Sequence, residues 1–248
     1  MINFLMIASG SKGNSTLIWD EDDLIIIDAG ISLRKFRTKT ASFNFDDLEK
    51  SIFISHEHSD HASGAKTISK NIGADIYSRP GTLERLNISG FKINDETAIG
   101  NFSVIPVSVS HDAIDPVVYI IKNRNIKMAV VSDLGRVSDD LLYCIKNSDI
   151  LALESNYDYN MLINGKYSEP LKRRILSEYG HLSNEQSADA LFESASENTH
   201  IILTHLSENN NTPDIALSYA KSYLGNRGKK YRTIECASQE NGSSIYTF

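Results

Sequence analysis

Three imidazoles and a carboxylate fall within six consecutive positions, His56, His58, Asp60 and His61, directly after the apolar run Ile52-Phe53-Ile54. Neutral imidazole and carboxylate oxygen together suit zinc, manganese or iron. Imidazoles this close repel one another on protonation and gain little from packing, so the cluster reads as a metal site. Spacing of two along an extended segment turns His56 and His58 to one side, while Asp60 and His61, past the strand end, can reach a second ion. His200 has no such neighbours and reads as an ordinary residue.

The remaining ligands should end other strands, which give rigid positions and leave coordination sites open. His111 follows an apolar strand ending at Ser110, Asp133 follows Met128-Ala129-Val130-Val131-Ser132, and His205 follows Ile201-Ile202-Leu203-Thr204. Taken alone, Asp133 could equally cap the turn before Gly135. Together they make two nearly symmetric sites: His56, His58 and His111 on one metal, Asp60, His61 and His205 on the other, with Asp133 bridging. Two divalent ions and two carboxylates leave a formal charge of about +2, which favours an anionic substrate. Ions about 3.5 to 4 Å apart can share a water, lower its pKa towards neutrality, deliver it as a bridging hydroxide and clamp phosphoryl oxygens.

The elements that must position these groups read as strands at 2–8, 15–19, 24–28 and 52–55, with a turn at Glu21-Asp22-Asp23. Helical periodicity covers 62–72 and, opened by Pro80, 80–87. Strands return at 103–110, 117–122, 126–131, 149–153 and 200–204, and helices at 138–147, 168–178, 183–196 and 213–224. Ser183 and Gln186 offer a capping pattern, and Pro213 suits a first helical turn. A terminal hairpin, 231–236 with 243–248, is expected to turn at Asn241-Gly242. Meanders with helices between groups of strands fit two packed sheets with helices outside.

At 248 residues with no linker, repeat or low-complexity tract, the chain is expected to form one domain over 1–248. Met1 to Ala8 reads as a first strand and not as a signal segment, and no apolar run approaches the length that spans a membrane. Cys144 and Cys236 lie in no metal or redox spacing, which fits small buried hydrophobes in a reducing cytoplasm. The net charge of −7 argues against a general polyanion binder, although bound cations and local basic clusters can reverse the field at one site.

His56-x-His58-x-Asp60-His61 with His111, Asp133 and His205 resembles the metallo-β-lactamase superfamily. That resemblance implies an α/β fold, a four-layer αβ/βα sandwich of two mixed sheets with the site at its edge, and dinuclear hydrolytic chemistry. A narrower resemblance runs through Ala8 to Asn14, Ser110 to Pro116, Glu154 to Asp158, Lys172 to Ser177, Gly180 to Asn184 and Thr204 to Asn210. These blocks are similar to the YycJ (WalJ) group, which implies a metal-dependent 5′-to-3′ DNA exonuclease linked to DNA repair. They also resemble RNase Z, and the match gives Glu154 and His181 a proton-transfer role. An imidazole kept protonated by a carboxylate can serve a leaving 3′ oxygen.

Only residues 112–132 separate His111 from Asp133, so the long tRNA-binding arm of RNase Z has no room, nor does the inserted domain of β-CASP nucleases. Neither cysteine falls in a motif, so a Cys-liganded antibiotic-hydrolysing site is not expected. Ester or thioester hydrolysis of the glyoxalase II or lactonase kind uses the same ligands and is the alternative reading. A protein whose metal centre is merely structural fits an open site poorly.

For a nucleic acid substrate, three basic clusters could meet phosphates: Arg34, Lys35, Arg37 and Lys39; Lys166, Lys172, Arg173 and Arg174; and Arg227, Lys229, Lys230 and Arg232. The middle one, between Glu154 and His181, is the expected guide for a backbone. The loop Ser9 to Asn14 lacks a P-loop ending, but Ser11 or Asn14 could touch a terminal phosphate. Tyr157 and Tyr159 could stack a base, with ordinary packing the more economical reading.

Overall fold

The computed structural model describes residues 1–248. In the first sheet β1 (Asn3–Ala8), β2 (Ser15–Trp19) and β3 (Asp23–Ile27) form an antiparallel meander. β4 (Glu49–Ile54), β5 (Asp75–Ser78) and β6 (Phe91–Lys92) then add in parallel. The expected acidic turn between β2 and β3 is made by Asp20, whose Oδ1 accepts from the backbone N–H of Asp22 and Asp23 at 3.0 Å each.

In the second sheet β7 (Thr97–Ile99), β8 (Phe102–Ser108), β9 (Val117–Asn123) and β10 (Ile126–Val131) are antiparallel neighbours. β11 (Ile150–Glu154), β12 (His200–Thr204) and β13 (Thr233–Cys236) continue in parallel with β10. Because β9 opposes both its neighbours, β8, β10, β11 and β12 all end at the same sheet edge. Residues placed just after these strands are therefore brought together.

Helices α1 (Leu33–Thr40), α2 (Ser59–Ala62), α3 (Ala65–Ile72) and α4 (Pro80–Leu86) belong to the first half. The second half contributes α5 (Asp139–Ile145), α6 (Tyr159–Asn164), α7 (Glu169–Ile175), α8 (Asn184–Ser194) and α9 (Pro213–Asn226). Alternation along the strands fills three apolar layers. Ile25, Ile27, Phe53, Tyr119 and Ile121 pack between the sheets. Their neighbours Ile26 and Ile52 face Phe36 and Ile68 on one outside, and Val118 and Ile120 share the other with Leu141, Leu191 and Leu224. Strands buried on both faces read as continuous apolar runs, and the product is the four-layer α/β sandwich.

The capping box of Ser183 with Gln186 and the first-turn positions of Pro80 and Pro213 are present. Other expectations are corrected. The helix at 62–72 is broken: the Gly64 N–H donates to the Ala29 carbonyl at 2.8 Å instead of to Asp60, whose carbonyl accepts from the Asn14 N–H at 2.7 Å, so α2 ends at Ala62 and α3 begins at Ala65. The terminal hairpin does not form. Gly242, at φ +69°, does turn the chain, but β13 pairs with β12 while the last strand, β14 (Tyr246–Thr247), crosses to pair with β1 in the other sheet.

Candidate metal centre and active site

Four of the seven ligand candidates, and Glu154, lie at or just beyond a strand end. His56 follows β4, His111 follows β8, Asp133 follows β10, Glu154 closes β11 and His205 follows β12. Asp28, Asp133 and His205 have φ values of 60°, 60° and 53°, half of the six non-glycine residues in that region. Left-handed backbone costs about 1–2 kcal/mol at each such residue, so its concentration here marks a place where side-chain direction is bought with strain. His58 occupies the N-cap position of α2, which places Asp60 and His61 on its first turn.

Four groups of ligating atoms lie within 4.8 Å of one another: His56, His58 and His111; Asp60, His61 and His205; His56, His61 and Asp133; and Asp133, Glu154, His181 and His205. His61 Nε2 approaches Asp133 Oδ2 to 2.8 Å, yet Asp133 Oδ2, His56 Nε2 and His205 Nε2 are buried without a hydrogen-bond partner. Unpartnered buried donors and acceptors are costly, and here they converge. Imidazole nitrogens and carboxylate oxygens so arranged fit divalent cations.

Electrostatics agrees. Burial, reinforced by neighbouring imidazoles, holds His56 well below the usual histidine range; burial likewise lowers His111. Both are neutral lone-pair donors. Burial also opposes charge on His61 and His205, but Asp133, with Asp28 beside His61 and with Asp60 and Glu154 beside His205, outweighs it and raises both well above the ordinary value. Burial would raise the carboxyls of Asp133 and Asp60; contacts with His205 and His61 prevail and lower both. Protonated imidazoles thus supply the positive charge that the carboxylates require.

A surrounding set of contacts aims the ligands. Asp28 Oδ2 lies 2.7 Å from His61 Nδ1, leaving Nε2 to face the centre, and the same carboxylate accepts from Ser55 N and Oγ at 2.8 and 3.0 Å. Ser9 Oγ accepts from His205 N and Asn156 Nδ2 donates to His205 O, both at 2.8 Å. Gly30 lies against the Asp60–His61 peptide: a Cβ there would sit 1.6 Å from the Asp60 carbonyl oxygen.

Glu154 is no surface charge; it is fully buried. Its Oε1 stands 2.8 Å from His181 Nδ1 and 2.9 Å from His205 Nδ1, and its Oε2 accepts from the backbone of Leu134 and Leu182. Although burial opposes the charge, Glu154 outweighs it and raises His181 above the ordinary range. His181 lines a cavity of about 200 Å³ together with His58, Asp60, His111, Asp133 and His205. A hollow of about 300 Å³ near Phe36 and Phe43 lies elsewhere and carries no such cluster.

Of the expected substrate contacts, Ser11 and Arg174 line the cavity. Lys172 is a correction: its Nζ donates to the Ile163 carbonyl at 2.6 Å and meets Glu169 at 3.3 Å, so its charge is spent inside the α6–α7 segment. Asn14 is another. It is buried, and its amide bridges Gly10 N, Asp60 and His61. Arg173 is exposed and does not line the cavity. Of the outer clusters, Lys35 bonds the Gln239 carbonyl and Arg227 stacks on Tyr223. Tyr157 is buried in a small apolar cluster, and His200 sits at the opposite end of β12 from His205.

Three contributors were not anticipated. Asp28 follows the apolar run Leu24 to Ile27, the same signal that marked Asp133. Asp112 lies 3.4 Å from His111 Nε2 and pairs with Arg174. Tyr167 lines the cavity, with no motif to announce it.

Fold and ligand cluster together define a metal-dependent hydrolase. Residues 24–206 match the family described as the beta-lactamase superfamily domain. The chain is 35% identical to exodeoxyribonuclease YycJ of Bacillus anthracis, over 92% of this chain and 90% of that protein. It is 33% identical to exodeoxyribonuclease WalJ of Streptococcus pneumoniae serotype 2, over 86% and 84%. Among solved structures, the metallo-beta-lactamase fold protein YhfI of Bacillus subtilis superposes with a TM-score of 0.74 at 14% identity, covering 100% of both chains. The chain therefore belongs to the metallo-β-lactamase superfamily and, within it, to the group of YycJ and WalJ. No helix is long and apolar enough to cross a membrane.

Proposed function

We propose that residues 1–248 work as one cytoplasmic domain, a dinuclear phosphodiesterase that degrades DNA from the 5′ end. The observation that carries the reading is the buried Glu154–His181 pair standing beside seven convergent ligating side chains, five of which line one cavity with His181. The relatives' activity as exodeoxyribonucleases supports DNA as the substrate.

His56, His58 and His111 would hold one ion, Asp60, His61 and His205 the second, with Asp133 between them; zinc and manganese suit this donor set, and iron is compatible. When bound, such ions supply an activated water and neutralise charge on phosphoryl oxygens. Asp60, at the cavity wall, orients the attacking water. His181 engages Glu154 through Nδ1, so its Nε2 is the nitrogen free to protonate the leaving 3′ oxygen. Ser11 and Arg174, which line the same cavity, contact the scissile or neighbouring phosphate, Arg174 through the guanidinium N–H groups that the pairing of its Nε with Asp112 leaves over.

Purified protein loaded with Mn²⁺ or Zn²⁺ should be offered labelled DNA, a lactone and a glutathione thioester in parallel. DNA shortening that disappears in His181→Ala is expected. Turnover of the lactone or thioester with intact DNA would replace this reading by ester hydrolysis.

A further inference from the structure

Two loops beside Asp60 and His205 are joined to each other twice. At the root, His205 N donates to Ser9 Oγ at 2.8 Å, and both residues are buried. Further along, Ser11 from one loop and Ser207 from the other line the cavity. The residues that follow these serines, Lys12 and Glu208, are not part of the lining and stand in solvent. There Lys12 Nζ meets Glu208 Oε1 at 2.8 Å, with side chains 67% and 46% exposed.

The loop that carries Lys12 is anchored on Asp60 without help from that ion pair. Asn14 N donates to Asp60 O at 2.7 Å, Asn14 Oδ1 accepts from Gly10 N at 2.8 Å, and Gly13 N donates to Gly10 O at 3.0 Å. Gln239 clamps the tip: its Oε1 accepts from Lys12 N at 2.7 Å and its Nε2 donates to Gly13 O at 2.8 Å. Gly13, at φ +135°, passes so close to Gly30 that a Cβ would lie 2.4 Å from the Gly30 carbonyl oxygen. The backbone of Lys12 is therefore fixed relative to Asp60, and its flexible stem can still swing.

An ion pair this open gains little, because water screens it and two long side chains must be ordered to make it. Phosphate oxygens compete with a carboxylate for the same three N–H donors, and a phosphate neutralised by lysine also releases counterions. Lys12 is the one cation between Ser9 and Asn14, with its Cα about 3.8 Å from that of Ser11, so a four-carbon stem carries the ammonium to a phosphate at the edge of the cavity. Glu240, the other carboxylate near Lys12, is already paired with Lys35 at 3.6 Å. We propose that Lys12 binds a backbone phosphate of the substrate strand beside the reaction centre and that Glu208 is its competitor, holding the ammonium in the free protein and releasing it when DNA enters. This rests on the nuclease reading above and adds to it one substrate contact and one residue that limits affinity.

The test measures binding of a 3′-labelled duplex by fluorescence anisotropy at three salt concentrations. It uses the full metal-loaded chain carrying His181→Ala, so that the DNA persists. Adding Lys12→Ala should weaken binding and reduce the salt slope by about 0.9, the contribution of one phosphate contact. Adding Glu208→Gln should tighten binding at low salt by about 1.5- to 5-fold, the strength of an exposed ion pair. That gain should vanish when Lys12→Ala is present as well. If the pair merely staples the two loops, both single variants weaken binding and lower Tm together, and the proposal is overturned. A Glu208→Gln gain that persists without Lys12 is long-range repulsion and overturns it too, as does an unchanged salt slope in Lys12→Ala. If wild type shortens no DNA, the nuclease reading fails on that result alone and the binding series still decides the part of Lys12; a His181→Ala parent that binds no DNA overturns both.

Discussion

Glu154 Oε1 lies 2.8 Å from His181 Nδ1, in a carboxylate wholly shielded from solvent. With Nδ1 committed, His181 offers only Nε2 to a substrate, and Glu154 favours its charged form. His181→Ala should lower kcat on DNA by roughly 10²–10⁴, with KM little changed. A p-nitrophenyl phosphodiester has a leaving group that needs no proton, so the same variant should lose far less on it. Comparing the two substrates by steady-state kinetics checks the role, and equal losses would assign His181 a structural part.

Asp28 acts through His61. Its carboxylate holds His61 Nδ1 at 2.7 Å and the Ser55 N–H at 2.8 Å. Asp28→Asn keeps the shape and loses the charge, and it should weaken metal affinity about 10–100-fold. Competition against a chromophoric chelator measures this directly.

Metal removal should destabilise the fold. Without cations, Asp60 and Asp133 rely on protonated His61 and His205 for their counter-charge. Metal at 100 times its Kd contributes about 2.7 kcal/mol, a shift of about 5–10 °C in Tm for a chain of this size. Because His61 and His205 have raised pKa values in the metal-free protein, they must release protons to bind. Affinity should therefore weaken as pH falls below those values, measured as proton release by calorimetry in two buffers.

Gly30 has no space for a side chain, since its Cβ would overlap the Asp60 carbonyl. Gly30→Ala should cost about 3 kcal/mol and displace the Asp60–His61 peptide. A lowered Tm together with weakened metal binding is expected; an unchanged affinity would separate the loop from the centre.

The three adjacent cations of α7 should behave differently. Arg174→Ala should reduce the salt slope of single-strand binding by about 0.7, the contribution of one phosphate contact. Arg173→Ala should have little effect, and Lys172→Ala should lower Tm through the lost contact with Ile163. Binding titrations at three salt concentrations, with melting curves, distinguish them.

That last contrast shows where sequence reading stops. Lys172, Arg173 and Arg174 look alike as a run, but steps of about 100° around a helix send neighbours to different surroundings. The ligands were legible because each sits in the cluster at 56–61 or directly after an apolar strand. Asp28 obeys that rule too, yet no histidine beside it draws notice. Two packed sheets could be read from the strand pattern, and the four-layer order from the ligand motif. The destination of the last strand could not: Asn241-Gly242 specifies a turn locally, whereas pairing with β1 depends on partners more than two hundred residues away. Tyr167 has no motif at all, and only folding places it on the cavity wall.

The most direct test of the central claim is a digestion of single-stranded DNA labelled at the 5′ or the 3′ end by the Mn²⁺-loaded protein, with Asp60→Asn as control. Immediate release of the 5′ label as a mononucleotide, a descending ladder from the 3′-labelled strand and no shortening by Asp60→Asn are predicted. Intact DNA, a ladder from the 5′-labelled strand, or undiminished cutting by the variant would contradict the account.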